Sequence, residues 1–258
     1  MSWLGAGIGA GIGAMIGGPI GAGIGGWLGH SMSKAYTHVT HSAQMGGAEL
    51  SGMSKQEAQS IFFVALFSML AKMAKADGRV TSEEADLINH LARTQIEMDA
   101  EDRKAAAVIF KNALDDEYTI YDYARQYRQI AGHAPQMCEM VYRLLFSVAY
   151  ADGELHAAED AILMEIPSHL GLDQSHYQIL KEEFHGQHAD ISESYKILGC
   201  EPDSSDSEVK RAYRKLCMDY HPDKIAAKGL PDGFMQFAEQ QMHLINDAYK
   251  TIMDQRKK

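Results

Sequence analysis

The sequence predicts an all-α protein in three parts: a single N-terminal transmembrane helix, a helical bundle and a small C-terminal helical module. Three observations predict it. Glycine recurs every fourth residue through an uncharged opening segment. From about Ser54 to His185 the apolar residues keep a helical period with no convincing strand. The last 67 residues read as short amphipathic helices punctuated by glycine and proline.

The opening segment, Trp3 to Gly29, has no charged side chain. As one helix it would run roughly 40 Å, longer than the ~30 Å hydrocarbon core of a bilayer. Gly5, Gly9, Gly13, Gly17, Gly21, Gly25 and Gly29 form one row, and a large aliphatic precedes each: Leu4, Ile8, Ile12, Ile16, Ile20, Ile24 and Leu28. A helix built this way has a smooth groove beside an aliphatic ridge. In water that much glycine costs about 1 kcal/mol per residue relative to alanine. In lipid the backbone has no other partner, so the helix persists. Small residues four apart let two backbones approach closely, which predicts a homodimer through these seven glycines. Trp3 and Trp27 would lie roughly 36 Å apart, at interfacial depth on either side.

A secretory signal would need a basic leader and a flexible linker would need serine in place of isoleucine; the segment has neither. No Lys or Arg precedes the span, whereas Lys34 and Lys55 follow it, so the bulk of the chain is expected in the cytoplasm as a single-pass protein. The expected boundaries are a transmembrane helix over 1–30 and a juxtamembrane connector over 31–53.

The bundle is expected over 54–186. Phe62, Leu66, Met69, Met73 and Ala76 mark one apolar stripe, and Met137, Val141, Leu144, Val148 and Ala151 another. No proline falls between Pro19 and Pro135, as long helices require. An internal repeat sets the architecture. Ala76-Asp77-Gly78-Arg79-Val80 matches Ala151-Asp152-Gly153-Glu154-Leu155, and the match continues through Glu84 and Glu159 to Leu87-Ile88 and Ile162-Leu163. Each copy reads as a helix, a tight Asp-Gly turn and a restarted helix, with capping-box spacing in Thr81-Ser82-Glu83-Glu84. Two helical hairpins of this kind imply a closed bundle. Asp77 and Asp152 are the candidate cation ligands. Asp-Gly is ordinary turn chemistry, however, and no EF-hand spacing accompanies it, so no metal is expected. His156, His169, His176, His185 and His188 show no convergent ligand pattern.

A short linker, 187–191, leads to the final module, 192–258. Ser194 to Gly199 reads as a short helix closed by glycine, and Asp206 to Tyr220 as an amphipathic one with Val209, Ala212, Tyr213, Leu216 and Tyr220 inward. Its other side carries Lys210, Arg211, Arg214 and Lys215, two like-charge pairs at i,i+4 that repel by a few tenths of a kcal/mol each. Such a face on an acidic protein points to a binding partner. His221-Pro222-Asp223-Lys224 follows; a residue before proline avoids the α region, so His221 leaves the helix and is expected exposed in the turn. A last helix, about Gly233 to Gln255, presents Phe237, Leu244, Ile245, Ala248 and Ile252 inward.

Composition narrows the function. Three cysteines without a Cys-x-x-Cys pair exclude a disulfide scaffold and a cysteine-rich zinc module. The net charge is −11, yet residues 191–258 carry 11 cations and 11 anions, so the acidity lies upstream. That balance argues against nucleic acid as a partner. The glycines lack the context and the lysine of a P-loop, and no nucleophilic triad is arguable. Neither an enzyme nor a bound cofactor is expected.

These motifs also carry resemblances. The duplicated A-D-G-x-[VL]…E pattern resembles the TerB-like helical domain, which implies an all-α fold and no reaction. Y-K-I-L-G, V-K-R-A-Y-R-K-L…Y-H-P-D-K and I-N-D-A-Y, in that order, resemble a J-domain. That resemblance implies docking onto a DnaK-type heat-shock chaperone and stimulation of its ATP hydrolysis. Lys210, Arg211, Arg214 and Lys215 would meet an acidic chaperone surface, and His221, Pro222, Asp223 and Lys224 would form the triggering turn. The order of segments resembles the DjlA-type family of membrane-anchored DnaJ-like co-chaperones of Gram-negative bacteria, which implies the inner membrane. Lys224 to Pro231 looks like that family's loop. The linker here is much shorter than the Gln/Gly-rich one some members carry, and DnaJ's Gly/Phe and cysteine-rich regions are absent. Two other functions compete: a membrane stress sensor whose acidic bundle binds a cation or signalling partner, and a glycine-zipper pore-former.

Overall fold

A computed structural model describes residues 16–31, 53–76, 98–132, 134–150, 155–184 and 191–256. Every regular element among them is helical: α1 (Gly18–Ser31), α2 (Lys55–Ala74), α3 (Ala100–Asp115), α4 (Ile120–Ile130), α5 (Pro135–Ala149), α6 (Ala157–Leu170), α7 (Ser175–Phe184), α8 (Ile191–Leu198), α9 (Asp206–Asp219), α10 (Pro222–Ala227) and α11 (Met235–Arg256), with one 3-10 turn at Asp232–Phe234.

Helix starts are written locally. Ser54 and Glu57 exchange hydrogen bonds at the head of α2, and Thr119 and Asp122 do so at the head of α4. Asp99 accepts from the amides of Glu101 and Asp102 before α3, and Pro135 opens α5, where a missing N–H costs nothing. Gly171 ends α6 in the left-handed region, φ +72°, that glycine tolerates best.

The bundle closes around α2. The expected stripe describes one side of this helix only: every residue from Ala58 to Ala71 is buried, as in a helix apolar all round. By length and apolar composition α2 would pass for a membrane span, but most of it is buried beneath the helices around it, α1 and α3–α6 among them. It is the core helix. The end of α2 at Ala74 and of α5 at Ala149 fall 75 residues apart, the spacing of the repeat. Both Asp-Gly turns, with Asp77 and Asp152, lie outside the described residues, and among those described no cluster of three metal-ligating side chains occurs.

Of the expected span, Gly5, Gly9 and Gly13 lie outside the described residues. The described part is helical from Gly18 onward, with a backbone break at Gly17 and Gly18. Gly17 and Gly18 take φ of +59° and +58°, and α1 begins there. Pro19 explains the break, since it disfavours α geometry in the residue before it and suits a first turn. The Gln126 side chain of α4 grips this start: its oxygen accepts from the Ile20 amide at 2.7 Å and its nitrogen donates to the Gly17 carbonyl at 2.7 Å. Ile16, Ile20, Ile24 and Trp27 are buried against α2, α3 and α4. Gly23 and Gly26 permit the close approach, for a Cβ on either would fall 2.7 Å from Val64 Cγ1 or Asn112 Nδ2. Gly25, in the expected zipper row, faces open space.

Candidate functional site: the basic helix and its turn

The C-terminal module has its own small core of Tyr195, Leu198, Val209, Tyr220, Ile245, Ala248 and Ile252. The positioning of α9 over it follows from the sequence. Ser205 and Glu208 make a capping box, with the Ser205 amide donating to the carboxylate at 2.7 Å. Tyr213 stacks on Tyr249 of α11 at 4.1 Å, and its hydroxyl donates to Asn246 at 2.9 Å. Arg256, which sequence reasoning missed, closes the far end. Its guanidinium donates to Asp206 at 2.7 Å, to the Ser204 carbonyl at 2.6 Å and to the Tyr195 hydroxyl at 2.8 Å. A cation in the last turn of a terminal helix was the available signal.

Pinned this way, α9 turns Lys210, Arg211, Arg214 and Lys215 outward. All four are exposed, and none pairs with an anion among the described residues. Such a set is held apart by helix geometry and left for an external counter-charge. The turn that follows is more ordered than expected, because Pro222 starts the six-residue α10 with His221 as its N-cap. The His221 backbone is extended, φ −57° and ψ 129°, and its Nδ1 accepts from the Asp223 amide at 3.2 Å. With Nδ1 accepting, the neutral ring carries its proton on Nε2, which leaves that nitrogen as its donor. His221 and Asp223 side chains are 53% and 93% exposed, and Lys224 is exposed beside them. The structure thus brings together all eight residues singled out in the module.

Behind this surface a groove of about 520 Å³ separates the module from the bundle, lined in part by Glu139, His176, Lys196, Leu216, Tyr220 and Gln241. The Tyr220 hydroxyl donates across it to the Glu139 carboxylate, and His176 Nε2 lies 3.8 Å from the same carboxylate. The Glu139 carboxylate beside the ring raises the His176 pKa, and burial opposes this. Burial pushes Glu139 up, but His176, Arg143 and the Tyr220 hydroxyl together hold it below its ordinary value. The stabilisation from His176 is complete below its unfolded pKa of about 6.5 and is lost as pH rises through the folded value. That from Glu139 is complete above about 4.3 and is lost as pH falls through its depressed value. Asp173 also faces His176 and adds to the first effect. The melting temperature is therefore expected to fall as pH rises above about 6.5, and His176→Gln to flatten that dependence. An unchanged slope in the variant would place the titration elsewhere.

Comparison with known proteins places both modules. The family model described as "Tellurite resistance protein TerB" matches residues 63–182, and the DnaJ domain model matches 193–258. The protein named co-chaperone protein DjlA of Shewanella oneidensis is 34% identical over 233 residues, covering 85% of this chain and 88% of its own. The chain belongs to the DjlA co-chaperone family. The DjlA of Photobacterium profundum is 30% identical, covering 87% and 88%, and that of Escherichia coli K12 is 29% identical, covering 79% and 82%. No solved structure matches. As a DjlA family member the chain is a DnaJ-like co-chaperone, and a J-domain implies a DnaK-type partner.

Proposed function

We propose that this protein is a membrane-anchored co-chaperone that recruits a DnaK-type chaperone through α9 and stimulates its ATPase through the His221-Pro222-Asp223 turn. One observation carries the reading: four cations with no ion pair among the described residues lie on one helix face and run directly into an exposed His-Pro-Asp that caps the next helix. The cations set encounter rate and orientation against an acidic surface. The Nε2–H of His221 and the Asp223 carboxylate then offer a donor and an acceptor on a backbone held by α10. Nothing in this site performs hydrolysis; the chaperone does.

The test is ATP turnover by a DnaK-type chaperone with and without the full chain. Stimulation that falls with ionic strength is expected, since exposed charge pairs are screened. Turnover held at the basal rate at low salt would sink the proposal.

The anchor is the segment 1–30, supported by its lack of charge and its glycine row, with the C-terminal modules in the cytoplasm at the inner membrane. Residues 18–31 cannot lie in the bundle groove and cross a bilayer together, so anchoring draws α1 out of the groove. The full chain is expected to resist alkaline extraction from membranes. Gly9, Gly13, Gly17 and Gly21 replaced by leucine should leave it inserted but monomeric. Complete release by alkali would restrict α1 to the docked position, and intact dimers would move the contact elsewhere.

A further inference from the structure

The module's buried apolar residues divide into two sets. Seven form its own core, while Ile225, Leu230, Phe234, Phe237 and Ala238 belong to the core of the bundle. The contacts between the segment that carries these last five and the bundle are close and specific. The Phe234 ring meets Phe62 of α2 edge-on at 5.3 Å. The buried Gln59 amide donates to the Leu230 carbonyl at 3.3 Å. Gly229, at φ +102°, lies so near α2 that a Cβ there would fall 2.4 Å from Ala58 Cβ and 3.1 Å from its carbonyl carbon. Lys228 donates to Gln136 of α5 at 2.7 Å.

We infer that the TerB-like bundle is a receptor for its own J-domain: α2 and the start of α5 form a seat for Ile225–Ala238, which holds the module in one orientation with its chaperone-facing surface outward. Burial distinguishes presentation from occlusion. Besides Tyr220, which reaches Glu139, and Lys196, which pairs with Glu182, the module meets the bundle through the segment after the His-Pro-Asp turn, and Lys210, Arg211, Arg214, Lys215, His221 and Asp223 all remain exposed in the seated state. The seat itself is independent of any partner; that it presents a chaperone-binding face rests on the function proposed above.

Lys55 and Asp232 face each other across the rim at 3.6 Å, both half or more exposed, and serve as reporters. In the full chain, Lys55→Cys with Asp232→Cys is expected to cross-link almost completely with a short bismaleimide. Lys55→Cys with Lys250→Cys, a position roughly 22 Å along α11, is expected not to. Ala58→Trp, which leaves the J-domain sequence untouched, should lower the first yield several-fold by expelling Gly229. Equal yields from the two pairs, or no 55–232 product, would overturn the seat. The cross-linked chain is further expected to stimulate the chaperone's ATPase as well as its uncoupled form does. Stimulation lost only on cross-linking would make the seated state a closed one and overturn presentation. If neither form stimulates, the proposed function fails while the cross-link still decides the seat.

Discussion

The full chain carrying His221→Gln is expected to leave a DnaK-type ATPase at its basal rate while melting within a few degrees of the parent. The separation of effects follows from where the ring sits. His221 is 53% exposed and its ring meets only the amide and the carboxylate of Asp223 among the contacts described, so it adds little to either core. Losing an N-cap acceptor costs about 0.5–2 kcal/mol, here on a helix of six residues already tied to the bundle by Ile225. Glutamine keeps an N–H donor but carries it on a flexible chain, so the donor is no longer held where the rigid ring would present it to a partner. His221→Asn sharpens the test, because asparagine restores the cap but not the reach of the ring. Both variants inactive with near-parental melting is the expected pattern. An active His221→Asn would mean that the cap alone matters; an active His221→Gln would mean that the turn does not trigger the chaperone.

The second large effect is expected on stability. Phe62 is fully buried, with Tyr127 edge-on at 6.3 Å inside the bundle and Phe234 edge-on at 5.3 Å from the J-domain. Phe62→Ala removes both ring contacts and leaves a cavity at the junction of two cores, a loss of about 3–5 kcal/mol. Against a typical stability of 5–15 kcal/mol that is a large fraction, and it corresponds to a fall of roughly 10 °C in Tm for a chain of this size. Phe62→Leu, which keeps most of the volume, should lose much less. A Tm for Phe62→Ala within a degree or two of the parent would show that the ring is not packed where the structure puts it. Hydrogen exchange should rise in both α2 and the 225–238 segment; a rise in α2 alone would uncouple the two.

What the sequence revealed, and what it did not, divides by the range of the interaction. The cations of α9 and the exposure of His221 were legible because helix periodicity and a proline act over a few residues. The all-round burial of α2 was half legible: the Phe62 stripe is there, but buried Gln59, Ser60 and Ser68 share the helix and obscure the other sides. Phe237 was expected inside the J-domain and instead joins the bundle core. No local pattern could show this, since the bond that accompanies it links Gln59 to Leu230, 171 positions apart. The same holds for His176, whose partner Glu139 lies on another helix. The break before α1 was legible in Pro19, and the continuous glycine row masked it.

The clasp on α1 has a consequence for how the protein is made. Its grip residue, Gln126, sits on α4, which ends at Ile130, whereas α1 ends at Ser31. At 5–20 residues per second, α4 leaves the ribosome roughly 5–20 s after α1 does. For that interval the uncharged opening segment has emerged while the groove that would cover it has not been synthesised. Under the anchoring proposed above, lipid has access to the segment during translation before its groove exists, and the groove competes for it only afterwards.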